Sequence, residues 1–284
     1  ADGLRFGVMN CAPQGQDILF SEERVELGRN FCNKLWNACR FRQMAGATAD
    51  NSSIKAIAKR INPAKLDAND HSILVNLRKC AENIARDYQA YQFNSITQEI
   101  YAFFWNDFCG WYLEVSKARM ADESAKETVL AVQDLCLRQT LLLLHPFTPF
   151  ITEELYQSLP NAEETIMRAS WPKYTNDFQF AEEAEEMEGV MDVIRSIRNL
   201  RAEMNVPPAR RTAVYMVTPA ENAPAFEMAR AYLMKLAGAE NVIVQQDKNG
   251  IPKGAVNAVC AMGEAFIPLD QLIDIDKEIE RVNK

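Results

Sequence analysis

The 284-residue chain lacks any apolar run near the ~20 residues that cross a bilayer, any CxxC pair and any excess of positive charge. The first absence excludes a helical membrane anchor and predicts a soluble protein with no membrane partner. The seven cysteines (Cys11, Cys32, Cys39, Cys80, Cys109, Cys136 and Cys260) are odd in number and scattered, which suggests neither a disulfide framework nor a zinc site and fits a reduced, cytoplasmic setting. With 31 Lys and Arg against 39 Asp and Glu, the net charge of −8 excludes nucleic-acid binding through a strongly positive whole-body field. Neither half of the chain is basic, so any RNA contact must be a local patch. There are only two histidines, and a single one cannot build a metal site. No signal or transit peptide is recognisable. What remains is hydrophobic enough, and long enough, for two domains with proper cores.

The most informative stretch is RNFCNKLWNACRF, Arg29 to Phe41, inside a helix predicted from about Glu22 to Met44 with Ser21 as its N-cap. At roughly 100° per residue, Leu27, Gly28, Phe31, Cys32, Leu35, Ala38 and Cys39 share one arc, which packs. The opposite arc carries Glu26, Arg29, Asn30, Asn33, Lys34, Asn37, Arg40 and Phe41. Asparagine is a mediocre helix former, and an ordinary solvated face uses Glu, Lys and Gln with alternating signs. Two readings fit these residues. One is a buried polar seam between helices. The other is single-stranded RNA recognition, in which amides meet base edges, cations hold phosphates and a ring stacks on an unpaired base.

Further helices are predicted over Ile54–Arg60, within a loop from Ala45 to Asn69, and over Asp70–Tyr91. The next runs from a cap at Asn94 or Ser95 to about Lys117 and is apolar on most sides, so Trp105 and Trp111 are read as core. Helices over about Ala125–Leu144 and Pro149–Leu159 complete a bundle with short connections, closed by Trp171 and Pro172. His145 lies near Thr148, Thr152, Glu153 and Glu154, but with no nucleophile motif it reads as a structural histidine at a helix end rather than a hydrolase centre.

After a linker at Lys173–Phe180, an acidic run opens a helix capped by Asp177 and broken at Val206, Pro207 and Pro208. Arg198, Arg201, Arg210 and Arg211 form the densest cationic cluster, open to RNA-backbone binding or to ion pairing with neighbouring acids. The period then changes to two. Thr212–Thr218 and Asn241–Gln245 read as strands around a helix at Ala223–Ala237, and Ala255–Leu269 as a hairpin across Gly263. This small α/β domain has no GxGxxG, no phosphate loop and no paired acid/base set.

The wording RNFCNKLWNACRF, with GQDILFSEERVE (Gly15–Glu26), FFWNDFCGWYLEVSK (Phe103–Lys117), HPFTPFITEELYQ (His145–Gln157), SWP (Ser170–Pro172) and IRNLRAEMNVPP (Ile197–Pro208), resembles the valyl-tRNA synthetase family of class I aminoacyl-tRNA synthetases. That resemblance implies a mainly α fold: the end of a catalytic-domain connection at 1–20, an anticodon-binding helical bundle at 21–172, a small α/β domain at 173–273 and the start of a coiled-coil arm at 274–284. It also implies an excised C-terminal fragment that is non-catalytic, holds no cofactor or metal, and belongs to a likewise monomeric valine–tRNA ligase using ATP with Mg. The partners it implies are the tRNA for valine and the upstream catalytic domain of the same polypeptide. By the same resemblance, Arg29, Asn33, Lys34, Asn37, Arg40 and Phe41 meet the anticodon loop. Gly110 stands where the family carries an acidic residue, so no role is transferred to it. The competing expectations are the equivalent fragment of an isoleucyl-tRNA synthetase and a docking scaffold that binds no RNA.

Overall fold

The computed structural model describes residues 1–11, 15, 17, 20–46, 53–159, 164–172 and 181–268. The chain divides into two compact units, Ala1–Ala184 and Glu185–Lys284. Ile18 and Leu19 of the expected DILF extension, the Lys173–Phe180 linker with its Asp177 cap and the charged helix from Asp274 lie outside the described residues.

The first unit is helical. Its elements are α1 (Asp2–Cys11), α2 (Glu22–Met44), α3 (Ile54–Arg60), α4 (Ala68–Gln89), α5 (Phe93–Tyr101), α6 (Leu113–Arg119), α7 (Glu123–Leu144) and α8 (Pro149–Gln157). Between α5 and α6 the backbone continues without a break as a π-helical stretch, Ala102–Tyr112, whose wider turns end with the Leu113 N–H donating to the Phe108 carbonyl five residues back. The continuous α-helix expected to Lys117 is therefore a helix with a long π segment in its middle. α7 is the centre of the unit, with every residue from Thr128 to Leu144 buried.

Capping explains where the other helices start and stop. Asp67 and Asp70 form a reciprocal capping box at the head of α4, and Asp122 accepts from the Ser124 N–H at the head of α7. α4 ends in a Schellman motif: Tyr91 takes φ +56°, the Gln92 N–H donates to the Asp87 carbonyl at 2.9 Å and the Tyr91 N–H to the Tyr88 carbonyl at 3.2 Å. α5 consequently begins at Phe93 with no Asn94 or Ser95 side-chain cap. Ser21 and Thr148 occupy N-cap positions but make no side-chain cap bond. The buried Thr148 hydroxyl turns back to the Leu144 carbonyl at the end of α7, which also accepts from the Phe147 and Thr148 N–H groups.

The second unit holds α9 (Ala181–Glu203) from Glu185 onward, β1 (Thr212–Val217), α10 (Ala223–Met228), α11 (Arg230–Leu236), β2 (Ala239–Gln245), β3 (Val256–Cys260) and β4 (Gly263–Ile267). The sheet order is β2-β1-β4-β3, with β1 parallel to β2 and antiparallel to β4, and β3 antiparallel to β4. The apolar side of α9, with Met187, Val190, Met191, Ile194 and Ile197, is buried. It ends at Glu203, short of the expected break at Val206: Asn205 takes φ +51°, and the Val206 N–H closes back on the Arg201 carbonyl at 2.9 Å.

Candidate nucleic-acid interface

α2 is held from behind by two devices. Gly28 meets α1 at Gly3 and Gly7 so closely that a Cβ on Gly28 would lie 1.9 Å from the Gly3 carbonyl oxygen, which places the two backbones in direct contact. Beside this crossing Phe31 stacks on Phe6 with ring centroids 4.2 Å apart, and Tyr101, Phe104, Phe108 and Tyr112 continue the aromatic series through α5 and the π segment. At its C-terminal end, the buried Arg42 donates to Asp134 of α7 at 2.8 Å, and Arg60 reaches the same carboxylate at 3.1 Å. Burial lowers the Arg42 pKa while the Asp134 charge opposes that fall. Sequence reasoning missed this triad because the three residues are far apart along the chain and only the bundle brings them together.

With Phe31, Leu35, Ala38 and Cys39 buried, the opposite arc faces out. Arg29, Asn33, Asn37 and Arg40 are exposed, at about one per turn, while Lys34 and Phe41 are half-buried. Arg29 pairs with Glu26 at 3.0 Å on the open surface. Trp36, 45% exposed, stands on the same helix. These residues form no buried seam within their own unit.

Lys34 and Phe41 lie against a second wall, built from the π segment and α6. The Lys34 ammonium sits 5.2 Å from the centre of the Trp105 ring, which stacks on Tyr101, and the Lys117 ammonium 5.6 Å from the centre of Phe41. Lys117 also pairs with Glu114 at 2.6 Å. Between the walls is a cavity of about 180 Å³ lined by Lys34, Asn37, Phe41, Cys109, Glu114 and Lys117, with Ala38 and Leu113 beneath. Trp111 is core, as expected, with its indole N–H donating to Asn69 at 3.2 Å, but Trp105 is a half-buried member of the groove wall. The wall residues went unrecognised because the π segment shifts which side chains face α2. The signal available was the Glu114/Lys117 spacing of three at the polar end of an apolar helix.

The groove offers amide, carboxylate and ammonium groups above an apolar floor. It has no nucleophile. Burial pushes the Cys109 thiol, and the neighbouring Cys39 thiol, up to about 12. His145 ends α7 with Nδ1 2.8 Å from the Thr152 hydroxyl and Nε2 3.0 Å from the Met167 sulfur, as a structural histidine would. No group of three or more His, Cys, Asp or Glu among the described residues could hold a metal ion. None of the described helices is long and apolar enough to cross a membrane.

The four arginines of the expected cationic cluster, Arg198, Arg201, Arg210 and Arg211, do not share a face. Arg198 and Arg211 are exposed, and Arg211 donates to the carbonyls of Met234 at 3.0 Å and Ala239 at 3.2 Å. Arg201 is buried, its guanidinium engaged by the Arg210 carbonyl and the Thr212 hydroxyl. It holds the connection from α9 to β1 and is withdrawn from any phosphate. Gly238, at φ +69°, leaves room for that guanidinium, since a Cβ there would come within 3.2 Å of it.

Residues 70–216 match the family model described as the anticodon-binding domain of tRNA ligase. That span begins beyond α2 but includes the second wall. Across its full length the chain is 38% identical to a valine–tRNA ligase from Geobacillus kaustophilus and 39% identical to one from Carboxydothermus hydrogenoformans, in each case covering 32% of the relative. The chain thus spans about a third of the length of these curated relatives. Among solved structures, a LeuRS–tRNA–LeuAMS ternary complex from Agrobacterium radiobacter K84 aligns over 64% of this chain and 21% of its own, with 19% identity and a TM-score of 0.49.

Proposed function

We propose that this chain, which belongs to the family of anticodon-binding domains of tRNA ligases, reads the anticodon loop of a valine tRNA as one part of a valine–tRNA ligase. The observation that carries the reading is the outward face of α2, where Arg29, Asn33, Asn37 and Arg40 stand exposed beside a groove closed by Phe41 and Lys34. In this role the two asparagines reach the edges of splayed bases, Phe41 packs against a ring, and Arg29, Lys34 and Arg40 hold phosphates. Arg198, Arg210 and Arg211 are further candidates for the tRNA backbone. Attachment of valine, with ATP and Mg, belongs to the remainder of such an enzyme, whose catalytic domain is this chain's partner in the same polypeptide. The enzyme acts in the cytoplasm as a monomer.

The net charge of −8 fits a reader that relies on this local patch rather than a general field. A filter-binding titration with valine tRNA and with a transcript whose anticodon is replaced tests the proposal. Wild type should prefer the matching anticodon. Replacing Asn37 and Arg40 together by Ala should weaken binding roughly tenfold or more, since one base-edge contact contributes about 1–3 kcal/mol and loss of a phosphate contact adds to it. Equal binding of both transcripts by wild type would refute anticodon reading and favour a docking role for the same face.

A further inference from the structure

We infer that the less buried face of the four-stranded sheet is a stacking platform for two unpaired RNA nucleotides, with Tyr215 and Phe266 as its rings and Lys248 as its phosphate contact. RNA as the occupant rests on the tRNA-reading role proposed above. The platform itself lies wholly within the second unit and uses no residue of α2. Strand alternation sorts the sheet into two faces. Val214, Met216, Val242, Ala265 and Ile267 are buried and share one of them. α9 reaches that face, where Arg201 donates to the Thr212 hydroxyl at 3.4 Å and Ser196 hydrogen-bonds Cys260.

On the other face the strand register aligns Ile243, Tyr215, Phe266 and Asn257 in one row across β2, β1, β4 and β3. Glu264 and the 73%-exposed Val259 are partners in the adjacent row. Tyr215 and Phe266 are half-buried and stand directly opposite each other on the two central strands. Opposed positions hold their Cβ atoms ~4.5–5.5 Å apart, so two bases splayed side by side each meet a ring. Stacking of unpaired bases on rings carried by a sheet is one of the ways proteins hold single-stranded RNA.

The polar groups around the rings fit the same occupant. Gln245 Nε2 donates to the carbonyls of Asp247 at 2.7 Å and Asn249 at 3.0 Å, which folds the connection after β2. Lys248, in that connection, holds its ammonium 5.2 Å from the centre of the Phe266 ring. It is 61% exposed and also pairs with Glu264 at 2.9 Å. Exposed contacts of both kinds are weak, so a base can replace the ammonium over the ring while Lys248 turns to a phosphate. Asn257, exposed beside Phe266, offers an amide to a base edge, and Glu264 accepts from a base amino group. A protein-binding patch is depleted of charge at its centre, whereas here Glu264 stands on a central strand.

The test titrates this chain into labelled single-stranded RNA hexamers at low salt, read by fluorescence anisotropy, in parallel with the anticodon stem-loop. Wild type should bind the hexamers, and replacing Tyr215 and Phe266 together by Leu should weaken that binding roughly tenfold, the scale of lost base stacking. Tyr215→Phe combined with Phe266→Tyr keeps both rings and should stay within about twofold of wild type. Lys248→Glu changes an exposed side chain, so it should melt with wild type, weaken hexamer binding roughly threefold and flatten its salt dependence. Stem-loop binding should be unchanged in every one of these variants. Failure of wild type to bind hexamers would overturn the platform and leave the face to a protein neighbour. Wild-type affinity in the leucine variant or in Lys248→Glu would overturn it too, as would hexamer binding that is lost only when Asn37 and Arg40 are replaced. Loss of stem-loop preference with hexamer binding intact would instead overturn the anticodon reading.

Discussion

Asp134 holds the C-terminal end of α2, and its removal should expose how much that anchoring contributes. Its carboxylate accepts from Arg42 at 2.8 Å and Arg60 at 3.1 Å, and the three side chains are only 3%, 4% and 10% exposed respectively. Asp134→Ala leaves Arg42 charged, buried and without its counter-ion, a situation that costs about 3–5 kcal/mol. For a unit of this size, each kcal/mol shifts the melting temperature by about 2–4 °C, so a fall of about 6–20 °C is expected by circular dichroism. The double variant Arg42→Met, Asp134→Leu removes both charges at similar volume and should recover most of that loss. Arg60 then keeps its second partner, Glu127, at 2.7 Å. A drop below about 3 °C in the single variant, or a double variant no better than the single, would refute the claim that these charges are buried and coupled.

Two further outcomes follow from the packing. Gly28→Ala should lower the melting temperature by more than an average surface change, with a cost of about 1–3 kcal/mol or more, because the new Cβ meets the Gly3 carbonyl rather than a side chain that can turn away. A melt unchanged from wild type would show that α1 does not press on α2. Burial, opposed by the carboxylates of Glu153 and Asp2, lowers the His145 pKa from its usual value. The folded state therefore favours neutral imidazole, so the contribution of His145 is complete above the unfolded value of about 6.5 and is lost as pH falls through the folded one. Melts between about pH 7 and pH 5 should show this loss in wild type and a smaller one in His145→Gln; identical slopes would exclude it.

The α2 face was legible in the sequence because helical period alone separates Phe31, Leu35 and Cys39 from Asn33, Asn37 and Arg40, and no long-range information is needed. The bounds of α2 and α3 and the change of period at Thr212 were legible for the same reason. The opposite wall was not, since a reader assuming one uniform helix from Phe93 to Lys117 carries the wrong phase across the π segment and places Trp105 in the core. Arg42 and Arg201 look like surface cations in a one-dimensional text. Their burial is set by Asp134, in a distant helix, and by a backbone carbonyl at Arg210, which the pattern of side chains does not encode.

The crossing of α1 and α2 at Gly28, the ring series behind Phe31 and the charge triad at Arg42 together leave α2 little freedom to adjust. In the role proposed for this face, an RNA loop must do the rearranging itself, so the entropic penalty of complex formation falls mainly on the nucleotides. Cognate and non-cognate loops should then arrive at comparable rates and differ chiefly in how long they stay.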